Sequence, residues 1–178
     1  MSEDKLYGVL AEFTNPRALF EACEKVRDKG FSNWDAHTPY PVHGLNAAMG
    51  LKPSPVPWIA LVCGLSGAAA GFLMQTWVSV SAWPLVISGK PLFSWQAFIP
   101  VTFECGVMAA AAGALAGMLY LNGLPMLFNP LFNSKRFEAA SDDRFFICIE
   151  ASDPDFDAEQ TSSFLESLGS SHVELVQE

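Results

Sequence analysis

The chain has 178 residues, is 51% apolar, and carries 10 Lys and Arg against 19 Asp and Glu, a formal net charge of −9. The acid excess sits in the C-terminal flank, where eleven acidic residues from Glu138 to Glu178 face Lys135, Arg136 and Arg144. A nucleic-acid partner is excluded because phosphate binding needs a basic surface, and the apolar excess is concentrated mid-chain, leaving flanks long enough for one small extramembrane domain.

In chain order, Met1-Ser2-Glu3-Asp4-Lys5-Leu6 lacks the basic and apolar regions of a signal peptide, so residues ahead of Trp58 are expected to stay in the cytoplasm. Leu6 to Phe13 has the apolar and aromatic richness of a buried strand. Thr14-Asn15-Pro16 then starts a helix, with a capping side chain ahead of a first-turn proline. Ala18, Leu19, Ala22, Cys23 and Val26 repeat at helical spacing, and Gly30 stops the helix after Lys29. A second strand is expected around Phe31 to Thr38. Pro39, Pro41, Pro53, Pro55 and Pro57 follow and predict an extended, semi-rigid linker, as do Pro125 and Pro130 on the far side.

Residues 57–128 are expected to form a transmembrane hairpin, with helices at about 58–80 and 99–121 joined by a loop over 81–98. Each span has the roughly 20 apolar residues that cover a hydrocarbon core of about 30 Å. Lys52 precedes the first helix and Lys135 and Arg136 follow the second, against Lys90 alone in the loop. That bias predicts a multi-pass protein of the bacterial cytoplasmic (inner) membrane with both termini cytoplasmic.

After the hairpin, Arg144 to Glu150 reads as a strand. Phe156 or Asp157 leads into a helix with Phe164, Leu165 and Leu168 on its apolar face, and His172 to Val176 alternates as a last strand. Residues 1–56 and 129–178 are thus two βαβ halves. Together they predict an α+β, split βαβ (ferredoxin-like) cytoplasmic domain interrupted by two transmembrane helices.

Within the spans, Gly64, Gly67 and Gly71 share one helix face, and Gly106, Gly113 and Gly117 share another, at spacings that let helix backbones approach closely. They pack either on each other or on foreign helices; a glycine-lined pore is a further reading. Glu104 is the one carboxylate in either span, placed about one turn into the second helix. Its candidate roles are interfacial hydrogen bonding or proton handling. Trp77, Trp83 and Trp95, with Phe93 and Phe98, cluster near the loop, where aromatic rings anchor helices at headgroup level or touch another subunit.

The remaining chemistry is sparse. Cys23, Cys63, Cys105 and Cys148 form no CxxC or CxxCH, so no cluster or covalent haem site is read in this chain. His37 and His43 flank a Pro-Tyr-Pro turn, a metal pair with no third ligand nearby, and His172 opens the last strand. No phosphate-binding glycine loop and no nucleophile triad is present. Catalytic, cofactor-binding and metal sites are therefore all expected to be absent.

The run Gly89-Lys90-Pro91-Leu92-Phe93-Ser94-Trp95-Gln96-Ala97-Phe98-Ile99-Pro100-Val101-Thr102-Phe103-Glu104 resembles the signature of the ActD family, a membrane subunit of bacterial alternative complex III. Tyr40-Pro41-Val42-His43-Gly44-Leu45, Val56-Pro57-Trp58, Tyr7 to Phe13 and Asp142 to Phe146 agree with it, while Gln96 stands where much of the family has proline. The resemblance implies a non-catalytic subunit of a quinol:electron acceptor oxidoreductase that assembles and stabilises its partners. It places haem c, iron–sulfur clusters and quinol in those partner subunits. Lys90, Trp95, Phe98 and Pro100, within the matching run, are the candidate loop interface. Two alternatives from other classes are a membrane-tethered regulatory domain binding a small molecule, and a proton-path element built on Glu104.

Overall fold

The computed structural model describes residues 5–178; the reading of the chain's start as lacking a leader falls partly on Met1–Asp4, outside the described residues. The chain forms two compact units. One is built from the two flanks, up to Lys52 and from Leu127 onward, and the other is Pro53–Met126.

In the flank unit, β1 (Leu6–Phe13) leads into α1 (Pro16–Lys29), whose cap is as the sequence implies: Asn15 Oδ1 accepts the Ala18 amide at 2.8 Å, and Gly30 closes the helix at φ +100°. α1 buries Leu19, Ala22, Cys23 and Val26, one stripe at helical spacing. Fully burying a side chain such as Leu19 or Val26 contributes about 1.5–3 kcal/mol. β2 is shorter than expected, Trp34–His37. β3 (Phe145–Glu150), α5 (Ala158–Ser167) and β4 (His172–Gln177) complete the unit, with Asp157 Oδ1 capping α5 through the Gln160 amide at 2.9 Å.

The four strands form one antiparallel sheet in the order β2-β3-β1-β4. β3 lies between β1 and β2, and β1 lies between β3 and β4, so each flank's βαβ segment is split by a strand of the other. The central pair runs from Gly8 opposite Glu150 to Phe13 opposite Phe145. Gly8 is required there, because a Cβ would overlap the Ile149 carbonyl oxygen.

Side chains alternate across this sheet. Val9, Ala11, Phe13, Phe145, Ile147 and Ile149 face α1 and α5. Leu10, Phe146, Cys148 and Val176 face the other way, where Leu131 and Phe137 cover them from two 3₁₀ turns, Pro130–Asn133 and Arg136–Ser141. Both faces being covered explains the unbroken apolar run Phe145–Ile149. Of the two linkers, the first departs from the extended form that its prolines predict. α2 (Leu45–Ala48) folds within the first, and Leu45, Ala48 and Met49 join the core beside α1. Apolar burial overrides proline stiffness between the proline clusters.

The second unit is a helical hairpin. α3 (Val56–Trp77) continues through a π-helical turn, Val78–Ala82, and α4 spans Trp95–Leu121. The helix expected to begin at residue 99 thus begins four residues earlier, and the loop shortens to 83–94. Pro100 does not start α4; as its sixth residue it removes only one hydrogen bond from the first turns. Only 6% of the most apolar window of each helix is buried, which argues against the core helices of a soluble protein.

Candidate functional site

The hairpin's seam is built from its small residues. At Gly64 a Cβ would stand 3.2 Å from Ala110 Cβ, at Gly106 3.2 Å from Ala68 Cβ, and at Gly71 2.9 Å from Cys105 Cβ. At Gly113 it would press on Cys63 Sγ at 2.6 Å, and at Gly117 on Ile59 Cδ1 at 3.0 Å. These five glycines, and Gly67, whose Cβ would overlap Ala109 Cβ, therefore face the partner helix of the same hairpin, where the missing side chains let the backbones close up and pack by dispersion. A polar tie accompanies them: the Gln75 side-chain amide donates to the Gly71 carbonyl and, across the seam, to the Phe98 carbonyl, both at 3.1 Å, and to Thr102 Oγ1 at 3.3 Å.

At the loop end, Phe98 is buried and packs edge-on with Phe72 and Phe93, ring centroids 6.0 and 6.1 Å away. Ser94 is also buried, donating its hydroxyl to the Pro91 carbonyl at 2.5 Å. Lys90 and Phe98 share a cleft of about 320 Å³ with Trp83 and Leu92. Trp95 and Pro100 are exposed, so the structure joins Lys90 with Phe98 but leaves the other two facing outward. Trp58, Trp77, Trp83, Phe103 and Tyr120 are each more than 60% exposed, giving the hairpin an apolar and aromatic outer surface.

Glu104 is exposed on that surface. Because α4 begins at Trp95, Glu104 is its tenth residue, about two and a half turns in at 3.6 residues per turn, deeper than the single turn expected. The seam side of α4 carries Cys105, Ala109 and Gly113. At about 100° per residue Glu104 points roughly opposite to it. Among the described residues it has no hydrogen bond and no ion pair.

The flank unit carries three polar arrangements. Asp153, 5% exposed, accepts the amides of Ser32 and Asn33 at 2.6 and 2.7 Å through Oδ2 and the Asp155 amide at 2.9 Å through Oδ1, tying the loop after α1 to the loop after β3. Burial pushes its pKa up, but the three amides outweigh that and hold the carboxyl below its ordinary value. Glu12, buried on β1, pairs with Arg136 at 2.8 Å and Arg144 at 3.5 Å, fastening the segment after the hairpin to the sheet. Tyr7, near Glu150, is pushed up to about 12 by burial and by that carboxylate.

His37 packs edge-on against Phe137, centroids 5.0 Å apart, with Nε2 unpartnered; burial lowers its pKa, against the pull of Asp35. His43 instead lines a cleft with Asp35 and Asn46, and His172 lies 3.8 Å from Glu174. Among the described residues no three His, Cys, Asp or Glu side chains gather as metal ligands. Burial raises the Cys23 and Cys148 thiols to about 12, which marks them as unreactive packing residues.

Sequence reasoning missed Gln75, Asp153 and the Glu12–Arg136 pair. Gln75 had a legible signal, an amide inside an apolar span; the other two depend on residues more than 100 positions apart. A search of curated proteins gives no match. A sequence-family profile described as "Alternative complex III, ActD subunit" matches residues 7–175, nearly the whole chain, and the chain belongs to that family.

Proposed function

We propose that this membrane protein is a non-catalytic subunit that assembles and stabilises the redox and quinol-binding subunits of alternative complex III. The observation that carries this reading is the division of labour in the hairpin. The glycines are spent on the internal seam, so the pair packs as one body, and Trp58, Trp77, Phe103, Tyr120 and Glu104 are left on its outside. Such a surface suits lipid and neighbouring subunits. Haem c, iron–sulfur clusters and quinol belong to those neighbours.

The flank unit is a split βαβ, ferredoxin-like sandwich in this reading, supported by the β2-β3-β1-β4 order and by α1 and α5 sharing one face of the sheet. The hairpin takes the place of the usual link between the second and third strands, which sets both termini in the cytoplasm of a bacterial inner membrane. The test is deletion of the chain with measurement of the assembled, haem-containing complex after mild solubilisation. Loss of intact complex, with unchanged quinol turnover per remaining intact complex, is expected. Full assembly without the chain would refute the role.

A further inference from the structure

We propose that Glu104 receives a transmembrane helix of a partner subunit, and that this helix brings a cationic side chain, Arg or Lys, against α4 at the level of Pro100. The inference rests on the reading of the chain as an assembling subunit. Glu104 lies well inside an apolar helix, exposed, on the side away from the seam, and with no donor among the described residues. Hydrocarbon offers a carboxylate nothing in exchange for water, so such a group marks a contact.

The backbone sharpens what that contact must supply. Side chains on a helix slope toward its N-terminus, which carries the Glu104 carboxylate over the turn that contains Pro100. Pro100 has no N–H, so the Gln96 carbonyl lacks its i+4 amide in that same turn. Two acceptors, one of them a carboxylate, therefore lie on this face, and the carboxylate has no hydrogen-bond or ion-pair partner among the described residues. A hydroxyl supplies one donor and no charge, whereas an ammonium supplies three donors and a guanidinium five, with the complementary charge. The approach is open: Ala97 and Ala111 flank Glu104 at seven-residue spacing, all three exposed, the repeat on which left-handed helix pairs close.

The experiment uses the whole complex in native membranes. A photo-crosslinking residue replaces Met108, on the Glu104 face, and in a reference chain Leu65, on the exposed side of α3. The expected result is a Met108 adduct with a transmembrane peptide of another subunit that contains Arg or Lys. E104Q and E104L should each lower that adduct at least ten-fold in chains that still reach the membrane. E104K should abolish it, and a carboxylate in place of the partner's cation should restore it. Three outcomes overturn the proposal: adducts with lipid alone, a partner peptide without a cation, or an E104Q adduct at the wild-type level. If a variant fails to accumulate, the peptide captured by the otherwise wild-type chain decides. A wild-type chain that co-purifies with no other subunit refutes the assembly reading itself; co-purification without a Met108 adduct to a cationic helix refutes only this inference.

Discussion

Gly67 of α3 lies so close to Cys105 of α4 that a Cβ placed on it would stand 2.6 Å from the Cys105 carbonyl oxygen and overlap the Cβ of Ala109. Backbone cannot yield as a flexible side chain can, so Gly67→Leu should splay the hairpin. The expected loss is about 1–3 kcal/mol, the range for overpacking a filled site. Gly64→Ala, where the nearest atom is a side-chain Cβ at 3.2 Å, should be much milder. Reversible unfolding in mixed micelles, followed by tryptophan fluorescence, measures both; equal effects would contradict the seam described.

Gln75→Leu removes three donated contacts but leaves acceptors that are partly satisfied elsewhere in their helices. The loss should therefore be modest, about 0.6 kcal/mol and no more than about 1.7 kcal/mol, as for other interhelical hydrogen bonds in membranes. The same micelle unfolding assay reads it, and amide exchange around Phe98 should rise in step.

Arg136→Ala leaves the buried Glu12 with only the longer contact to Arg144. Because Arg136 is 54% exposed at its side chain, solvent screens the pair, and a loss of about 1–2 kcal/mol is expected, below the 3–5 kcal/mol of a fully buried one. Adding Glu12→Gln should recover part of it. A double-mutant cycle on the full chain, read by hydrogen exchange in β1 and at residues 134–141, gives the coupling; additivity would show the two groups to be independent.

Acid should weaken the flank unit in two steps. His37 has a folded pKa below its ordinary 6.5, so as pH falls through 6.5 the unfolded chain takes up the proton first and stability declines toward the folded value. His37→Phe should flatten this limb while leaving stability at pH 8 nearly unchanged, since Nε2 has no partner to lose. Asp153 has a folded pKa below its ordinary 3.8, so its contribution is complete above 3.8 and is lost as pH falls through the folded value. Asp153→Asn should flatten that lower limb and raise exchange at Ser32 and Asn33 at neutral pH. Exchange profiles across pH check both assignments.

Local patterns made much of this chain legible. Asn15, Pro16 and Gly30 bounded α1, Asp157 headed α5, and the apolar runs of β1 and β3 with the alternation of β4 placed three strands, because caps and local patterns depend on near neighbours alone. The length of the apolar runs marked, in the same way, the two helices long and apolar enough to cross a membrane. The second apolar run, read as starting at residue 99, left out the four helical residues before it and put Glu104 too close to the end. The glycine spacing was visible too, yet periodicity cannot say which helix a face will meet. Only tertiary structure decided that the six glycines close the hairpin on itself, leaving Glu104 outside, and that Leu131 and Phe137 cover the second face of the sheet. It also decided that Asp153 and Glu12 join segments far apart in sequence. Such contacts arise from which surfaces meet once the chain is compact, a property that no window of neighbouring residues contains.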